Sequence, residues 1–240
     1  MTFAVCAFVA GRAAHGLAEA SWPQFRGVNG SGVASNGGRL PEKIGPETNV
    51  LWKIDVPPGH SSPVVFGDRI YLTAVRDGDL LTMALDRRRG KTLWEAKAPH
   101  EALEAIHRIG SHAQSTPATD GEHVVSFFGS SGLVCYDSAG HQLWIHRMGP
   151  FKNDFGAGSS PILVDDRVIL CQDHDTDSFL AAYDKSSGEL LWKTDRSEFA
   201  RNYCTPVVWE VEGRKQIVVA ATLRVVGYDF LTGRQLWTVR

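Results

Sequence analysis

The sequence predicts an all-β fold, a β-propeller of four-stranded antiparallel blades, and three observations predict it. Tryptophan recurs at Trp52, Trp94, Trp144, Trp192 and Trp237, always after a leucine, at intervals of 42 to 50 residues. That interval is the length of one propeller blade. The last four tryptophans each follow a turn phrase, running Asp86 to Gly90, Asp137 to Gly140, Asp184 to Gly188 and Asp229 to Gly233. Aspartate opens such a turn, and glycine supplies the positive φ that closes it. A second marker keeps the same phase: Ser62-Pro63, Thr116-Pro117, Ser160-Pro161 and Thr205-Pro206 each open the first strand of a unit. Proline is accepted at the start of a strand, where no ladder donor is needed.

Taken in order, residues 1–20 read as a signal peptide, with an apolar run from Phe3 to Ala10 and small residues at Ala18 and Ala20. The other reading of this segment is a disordered or partly helical tail of a cytosolic protein. The run is too short to cross a bilayer, and nothing after it is long and apolar enough. Residues 21–48 are rich in Gly, Asn and Ser but carry Trp22 and Phe25, which predicts a strap packed over a surface. Residues 49–56 are expected to be a leading strand carrying Trp52, ended by Pro57-Pro58-Gly59.

The blades follow at about 61–97, 115–147, 159–195 and 204–240. In the first, strands Pro63–Phe66, Arg69–Ala74, Leu80–Leu85 and Thr92–Ala96 are separated by Gly67-Asp68, Asp77-Gly78-Asp79 and Arg88-Arg89-Gly90. These are hairpin turns that need positive φ. The other three blades repeat the scheme. One such sheet cannot bury both of its faces, whereas radial stacking buries them and leaves short edges. A tryptophan on each outermost strand is then placed to wedge against the next blade.

Composition excludes some functions. A hydrophobic content of 43% and a charged content of 22% are ordinary for a globular protein. A net charge of −2 supplies no basic stripe for nucleic acid. Cys135, Cys171 and Cys204 are widely spaced, with no Cys-x-x-Cys pair, and two of them lie in apolar strand runs. They read as buried free thiols.

The Asp86, Gly90, Trp94 phrase with its three echoes, together with the Ser/Thr-Pro openings, resembles the repeat of pyrroloquinoline-quinone-type propellers. These are eight-bladed discs found in quinoprotein alcohol and glucose dehydrogenases, in BamB-like outer-membrane assembly lipoproteins and in uncharacterised exported bacterial proteins. The phrases Trp22–Gly27, Asp154–Pro161 and Asp173–Ser178 are similar to that last group. The resemblance implies that four units and a leading strand make about half of a ring. The leading strand would complete a final blade, and the open arc would expose the inner flank of unit one and the outer flank of unit four. A dehydrogenase of this family would hold pyrroloquinoline quinone with a calcium ion on Glu, Asn and Asp, beside a catalytic Asp and an adjacent Cys pair. The Cys pair is absent here and no such ligand set can be matched, so no cofactor is expected outside that alternative.

Candidate site residues come from the loops. His60, His107, His112, Asp154 and Asn202 precede first strands, which line the channel of a propeller, so they are expected to converge on its mouth and hold a small ligand or peptide. The plainer reading is hydrated loop residues that satisfy nearby backbone. Asp173, Asp175 and Asp177 alternate like the first ligands of a calcium loop, although no Gly at the sixth place and no closing Glu follow. A solvated hairpin accounts for them equally. The functional expectation is an exported, non-catalytic propeller, periplasmic or secreted, that binds a protein or small molecule on one face. The alternatives are a quinone-dependent dehydrogenase fragment and a sensor or receptor domain.

Overall fold

The computed structural model describes residues 21–34 and 41–240, so the expected signal segment lies outside the described residues. The architecture is a partial β-propeller of four antiparallel blades. Blade one contains β2 (Val64–Phe66), β3 (Arg69–Arg76), β4 (Asp79–Asp86) and β5 (Thr92–Ala98), with the short β1 (Ser21–Trp22) added beside β2. Blade two is β6 (Ala118–Thr119), β7 (His123–Phe127), β8 (Leu133–Asp137) and β9 (Gln142–His146). Blade three is β10 (Ile162–Val164), β11 (Arg167–Gln172), β12 (Phe179–Asp184) and β13 (Leu190–Asp195). Blade four is β14 (Val207–Val211), β15 (Arg214–Ala221), β16 (Arg224–Asp229) and β17 (Gln235–Val239). Strands are hydrogen-bonded in sequence order within every blade, as short hairpin connections require.

The turn before each outermost strand is built the same way four times. The Asp137 carboxylate accepts backbone N–H groups from Ala139 at 2.8 Å and His141 at 2.9 Å, and Asp86, Asp184 and Asp229 do likewise in their own turns. Gly90, Gly140, Gly188 and Gly233 then take φ between 68° and 92°. Each of these glycines has a second reason to be glycine, because the indole of the preceding unit lies on it. A Cβ would sit 2.5 Å from Trp52 at Gly90, 2.6 Å from Trp94 at Gly140 and 2.6 Å from Trp144 at Gly188. Trp192 lies on Gly233 in the same way. Indole N–H groups fix the contact by donating to the turn carbonyls of Arg87 at 2.8 Å, Ser138 at 3.0 Å and Lys185 at 2.8 Å.

The strand chemistry aims these rings. Opposite Trp94, Trp144, Trp192 and Trp237 stand the small residues Ala84, Cys135, Ala182 and Gly227, and the ladder shifts register immediately after each. A bulge there bends the outer strand and re-aims its side chain. Trp144 is buried between blades two and three, whereas Trp94 and Trp192 are half-buried. Trp237 behaves differently: it lies on Gly227 of its own blade and donates to the Gln216 side chain at 2.6 Å.

Three apolar cores lie between successive blades. The first packs Tyr71 and Ala84 against Val124 and Tyr136, the second Val125 and Phe127 against Val168 and Phe179, the third Ile169 and Leu180 against Ile217 and Val226. A fourth cluster, Leu81, Met83 and Leu85, covers the other face of blade one and is closed by Ile54.

Two sequence expectations are corrected here. Residues 49–56 form no strand; the segment has no described ladder partner and lies on blade one through Ile54 and the Trp52–Gly90 contact. The inner flank of unit one is therefore covered rather than exposed. The far flank of unit four is open, with Val225 39% and Val239 58% exposed.

The strap also carries more structure than expected. β1 pairs with β2, Ser21 opposite Phe66 and Trp22 opposite Val65. Pro23 then accepts the Thr119 N–H of β6 at 2.8 Å, and Gly30 reaches Val207 of β14. Residues 21–30 thus run along the innermost strands of blades one, two and four.

This packing makes the docking contact a measurable unit. Trp144→Ala is expected to lower the unfolding free energy by about 3–5 kcal/mol, as other buried aromatic truncations do. Gly188→Ala should destabilise the native protein strongly and cost much less in the Trp144→Ala background, because the clash is with that indole. Urea unfolding of the two single variants and the double variant checks this. Additive losses would refute a direct contact.

Candidate functional site: the mouth loops

The loops ahead of the first strands are tied into a belt by the Ser/Thr-Pro motif. The Thr116 side chain accepts the Ser62 N–H at 3.0 Å, Ser160 accepts from Thr116 at 2.9 Å, and Thr205 accepts from Ser160 at 3.0 Å. One residue earlier, the hydroxyl of Ser115 donates to the Ser159 carbonyl at 2.6 Å, and that of Ser159 to the Cys204 carbonyl at 2.9 Å. Every bond joins one blade to the next, and Ser115, Thr116, Ser159 and Ser160 are buried. The motif is thus the seam that holds the mouth loops in register around the axis.

On that belt the expected site residues occupy three settings. His60 is exposed and its backbone N–H donates to Ala113 at 2.8 Å, beside half-buried His112, whose pKa burial lowers with help from His100. His107 and Asp154 meet through backbone, His107 N–H to the Asp154 carbonyl, while the His107 ring lies edge-on to Phe155 with centroids 5.4 Å apart. Asn202 donates its amide to the Ala220 carbonyl at 2.5 Å and to Asp173 at 3.3 Å. His107, Asp154 and Asn202 are therefore neighbours along one path through Arg201; His60 and His112 form a separate group.

The calcium-loop expectation for Asp173, Asp175 and Asp177 is corrected. Asp173 is buried and bidentate to Arg196, at 2.8 and 2.7 Å, with both side chains almost free of solvent exposure. Asp175 is bidentate to Arg201 at 3.1 and 2.7 Å, and Arg201 also holds Asp154 at 2.7 Å. Asp177, with φ of 57°, turns toward a different cleft. Carboxylates already committed to guanidinium groups are poor hard-cation ligands. Among the described residues no group of three or more His, Cys, Asp and Glu is placed to hold a metal.

Sequence reasoning missed the two arginines that organise the mouth. Arg196 is fully buried, stacks on Phe199 at 4.4 Å and bonds the Tyr228 hydroxyl, so it links blade three to blade four. Arg201 bridges loops 47 and 26 positions away in sequence. Its guanidinium holds the Asp175 carboxyl below the usual carboxylate range. The available signal was the charge balance: three alternating aspartates in a soluble loop call for cationic partners, and Arg196 and Arg201 follow within one blade.

The missed histidine is His174. It is 2% exposed, its ring lies 4.6 Å from that of Phe151, and neither ring nitrogen has a hydrogen-bond partner. Burial lowers its pKa against the opposing pull of Asp177, Asp173 and Asp175.

The blade repeat and the Ser/Thr-Pro belt define a propeller of the pyrroloquinoline-quinone type. The chain belongs to the family described as outer membrane protein assembly factor BamB, whose profile matches residues 33–148 and again residues 83–240. No curated protein is matched. Among solved structures, the chain is similar to the quinohemoprotein alcohol dehydrogenase of Comamonas testosteroni, with 14% identity over 77% of this chain and 35% of that one, at a TM-score of 0.59. It is similar to the quinohemoprotein alcohol dehydrogenase ADHIIG of Pseudomonas putida HK5, with 15% identity, 79% and 35% coverage and a TM-score of 0.58. A europium-containing methanol dehydrogenase matches with 13% identity, 76% and 42% coverage and a TM-score of 0.52. At these identities the likeness is one of fold. The chain spans between a third and a half of the length of these structures.

Two predictions test the site's electrostatics. Arg196→Met strands the Asp173 carboxylate in a buried setting and is expected to cost about 3–5 kcal/mol in denaturant unfolding; a loss below 1 kcal/mol, on the order of a surface ion pair, would refute that setting. Stability should also fall as pH drops below about 6.5, the unfolded-state histidine value. Burial lowers the pKa of His112, His146 and His174, so between the lowered and ordinary values the unfolded chain binds more protons. His174→Leu should flatten that slope between pH 7 and 5.

Proposed function

We propose that the protein is an exported, non-catalytic propeller that serves as a binding platform. The observation that carries this reading is the closure of its mouth chemistry. Asp154 and Asp175 are bridged by Arg201, Asp173 is held by Arg196, and the Asn202 amide donates to Ala220 and Asp173 while its oxygen accepts the Cys204 N–H at 3.1 Å. A calcium-held quinone needs free carboxylate and amide oxygens pointing inward, and the groups this chain brings to the mouth do not fit it. The three described cysteines are free, and burial pushes the thiol pKa of each above its ordinary value, to about 12 for Cys135. Thiols of that kind are poor nucleophiles.

What remains is a rigid rim carrying polar and aromatic groups. Phe155, Tyr203 and Ile109 stand exposed beside the Arg201 network. Such a rim, presented on a packed scaffold, is suited to a protein partner. Export fits the apolar run at Phe3–Ala10 and the family to which the chain belongs. Among the described residues no helix is long and apolar enough to cross a membrane.

The test adds pyrroloquinoline quinone, calcium and an artificial electron acceptor to the purified protein, with alcohols or sugars as substrates. No dye reduction and no quinone retention on desalting are expected. Turnover that depends on the quinone would overturn the non-catalytic reading.

A further inference from the structure

Beside the mouth network, toward the outer rim between blades two and three, lies a cleft of about 510 Å³. Residues 149–151, just after β9, form one wall, and Phe179, Lys193 and Asp195 of β12 and β13 form the other. His174 closes its floor. The loop that carries His174 is held from every side. The Ser178 hydroxyl accepts the His174 N–H at 3.0 Å and approaches the His174 and Phe199 carbonyls, both at 2.9 Å. Asp173 is clamped by Arg196, and the Asp175 N–H donates to the Lys152 carbonyl at 3.1 Å. An imidazole positioned this firmly, with both nitrogens buried and, among the described residues, unpartnered, is costly unless a group entering through the cleft floor meets it.

The cleft wall shows what that something must offer. Lys193 places its ammonium 4.4 Å from the centre of the Phe179 ring, with no carboxylate of the described residues in salt-bridge range. Asp177 and Asp195 bring acceptors only, and Asp195 already takes the Ser197 hydroxyl at 2.5 Å. A neutral imidazole presents one donor and one acceptor. An anion would meet two carboxylates and a cation would meet the ammonium, whereas a hydroxyl both donates and accepts and satisfies all four groups. The Phe151 and Phe179 rings, 6.1 Å apart, supply an apolar surface for the C–H face of a ring carrying such hydroxyls. The volume lies in the range of small-ligand sites.

We infer that this cleft is a binding site for a neutral polyhydroxylated ligand, a saccharide unit, read by His174 and Lys193. The site is separate from the mouth and does not rest on the platform reading: the quinone assay probes the axis and a saccharide titration probes the rim.

The test uses the full chain with methyl α-glucoside and maltose as probes and glycine and acetate as charged comparators. Binding is followed by saturation transfer to the ligand and by the imidazole nitrogen resonances of His174. Saturable saccharide binding that moves the His174 resonances is expected, weakened by at least about tenfold in Lys193→Met and in His174→Leu. His174→Leu removes an unpartnered buried group, so its melting temperature at neutral pH should not fall. Lys193 is exposed, so its variant keeps the test open if His174→Leu misfolds. Three results would each overturn the inference: no saturable saccharide binding, binding unchanged in both variants, or tighter binding of glycine or acetate than of either sugar.

Discussion

The structure depends on one contact repeated along the chain: an indole laid on a turn glycine of the next blade, with its N–H on a turn carbonyl for Trp52, Trp94 and Trp144 and without a described partner for Trp192. The glycine has no Cβ to hold the ring away, and the carbonyl that accepts the indole N–H lies two or three residues before it in the same turn. The contact joins two otherwise separate sheets, so each blade depends on the one before it. Burial of such a ring contributes on the order of 2–3 kcal/mol per interface. The same device appears in miniature in the strap, where Trp22 lies on Gly27 at φ 73°. It is absent at Trp237, whose indole folds back on its own blade, and there the apolar flank of blade four stands open.

A second seam runs inside the first. The indole contacts tie the outer strands together, while the Ser/Thr-Pro belt ties the innermost ones. Proline starts each inner strand without an N–H, and the residue before it donates to the next blade's hydroxyl. Outer and inner seams together fix the angle between blades, which a single line of contacts would leave free to hinge. The mouth loops leave the inner seam directly, and this accounts for the firm placement of the Arg201 and Arg196 networks. Cys204 stands where Ser115 and Ser159 stand in the other blades, so the belt loses its hydroxyl donor at blade four.

The repeat was legible in the sequence because it is written in residues with few substitutes: a ring, a glycine under it, an aspartate to close the turn and a proline to start a strand. Residues 49–56 were misread because an apolar, Trp-bearing stretch predicts a strand only when another strand is there to pair with it; here side-chain packing alone holds it. β1 was hidden for the converse reason, since two residues paired at the inner edge leave no periodicity. Arg196, Arg201 and His174 were not legible as a site, because nothing local says that Arg196 reaches back 23 residues to Asp173. Alternating aspartates describe a metal loop and a guanidinium clamp equally well, and long-range pairing decides between them.

That decision has a further consequence for His174. Asp173 is paired with Arg196, and Asp175 shares Arg201 with Asp154, so the carboxylates on either side of the imidazole are tied to guanidinium groups while Asp177 still pulls on it. Had those carboxylates stayed free, their field would favour a charged imidazolium at neutral pH, and a buried cation would need a permanent counter-ion. Burial, helped by Lys193, outweighs the pull of the three aspartates, and the ring stays neutral with one donor and one lone pair. The loop whose carboxylates the two arginines hold thus also carries the imidazole at the floor of the rim cleft, so that the two neighbouring sites are built from one segment.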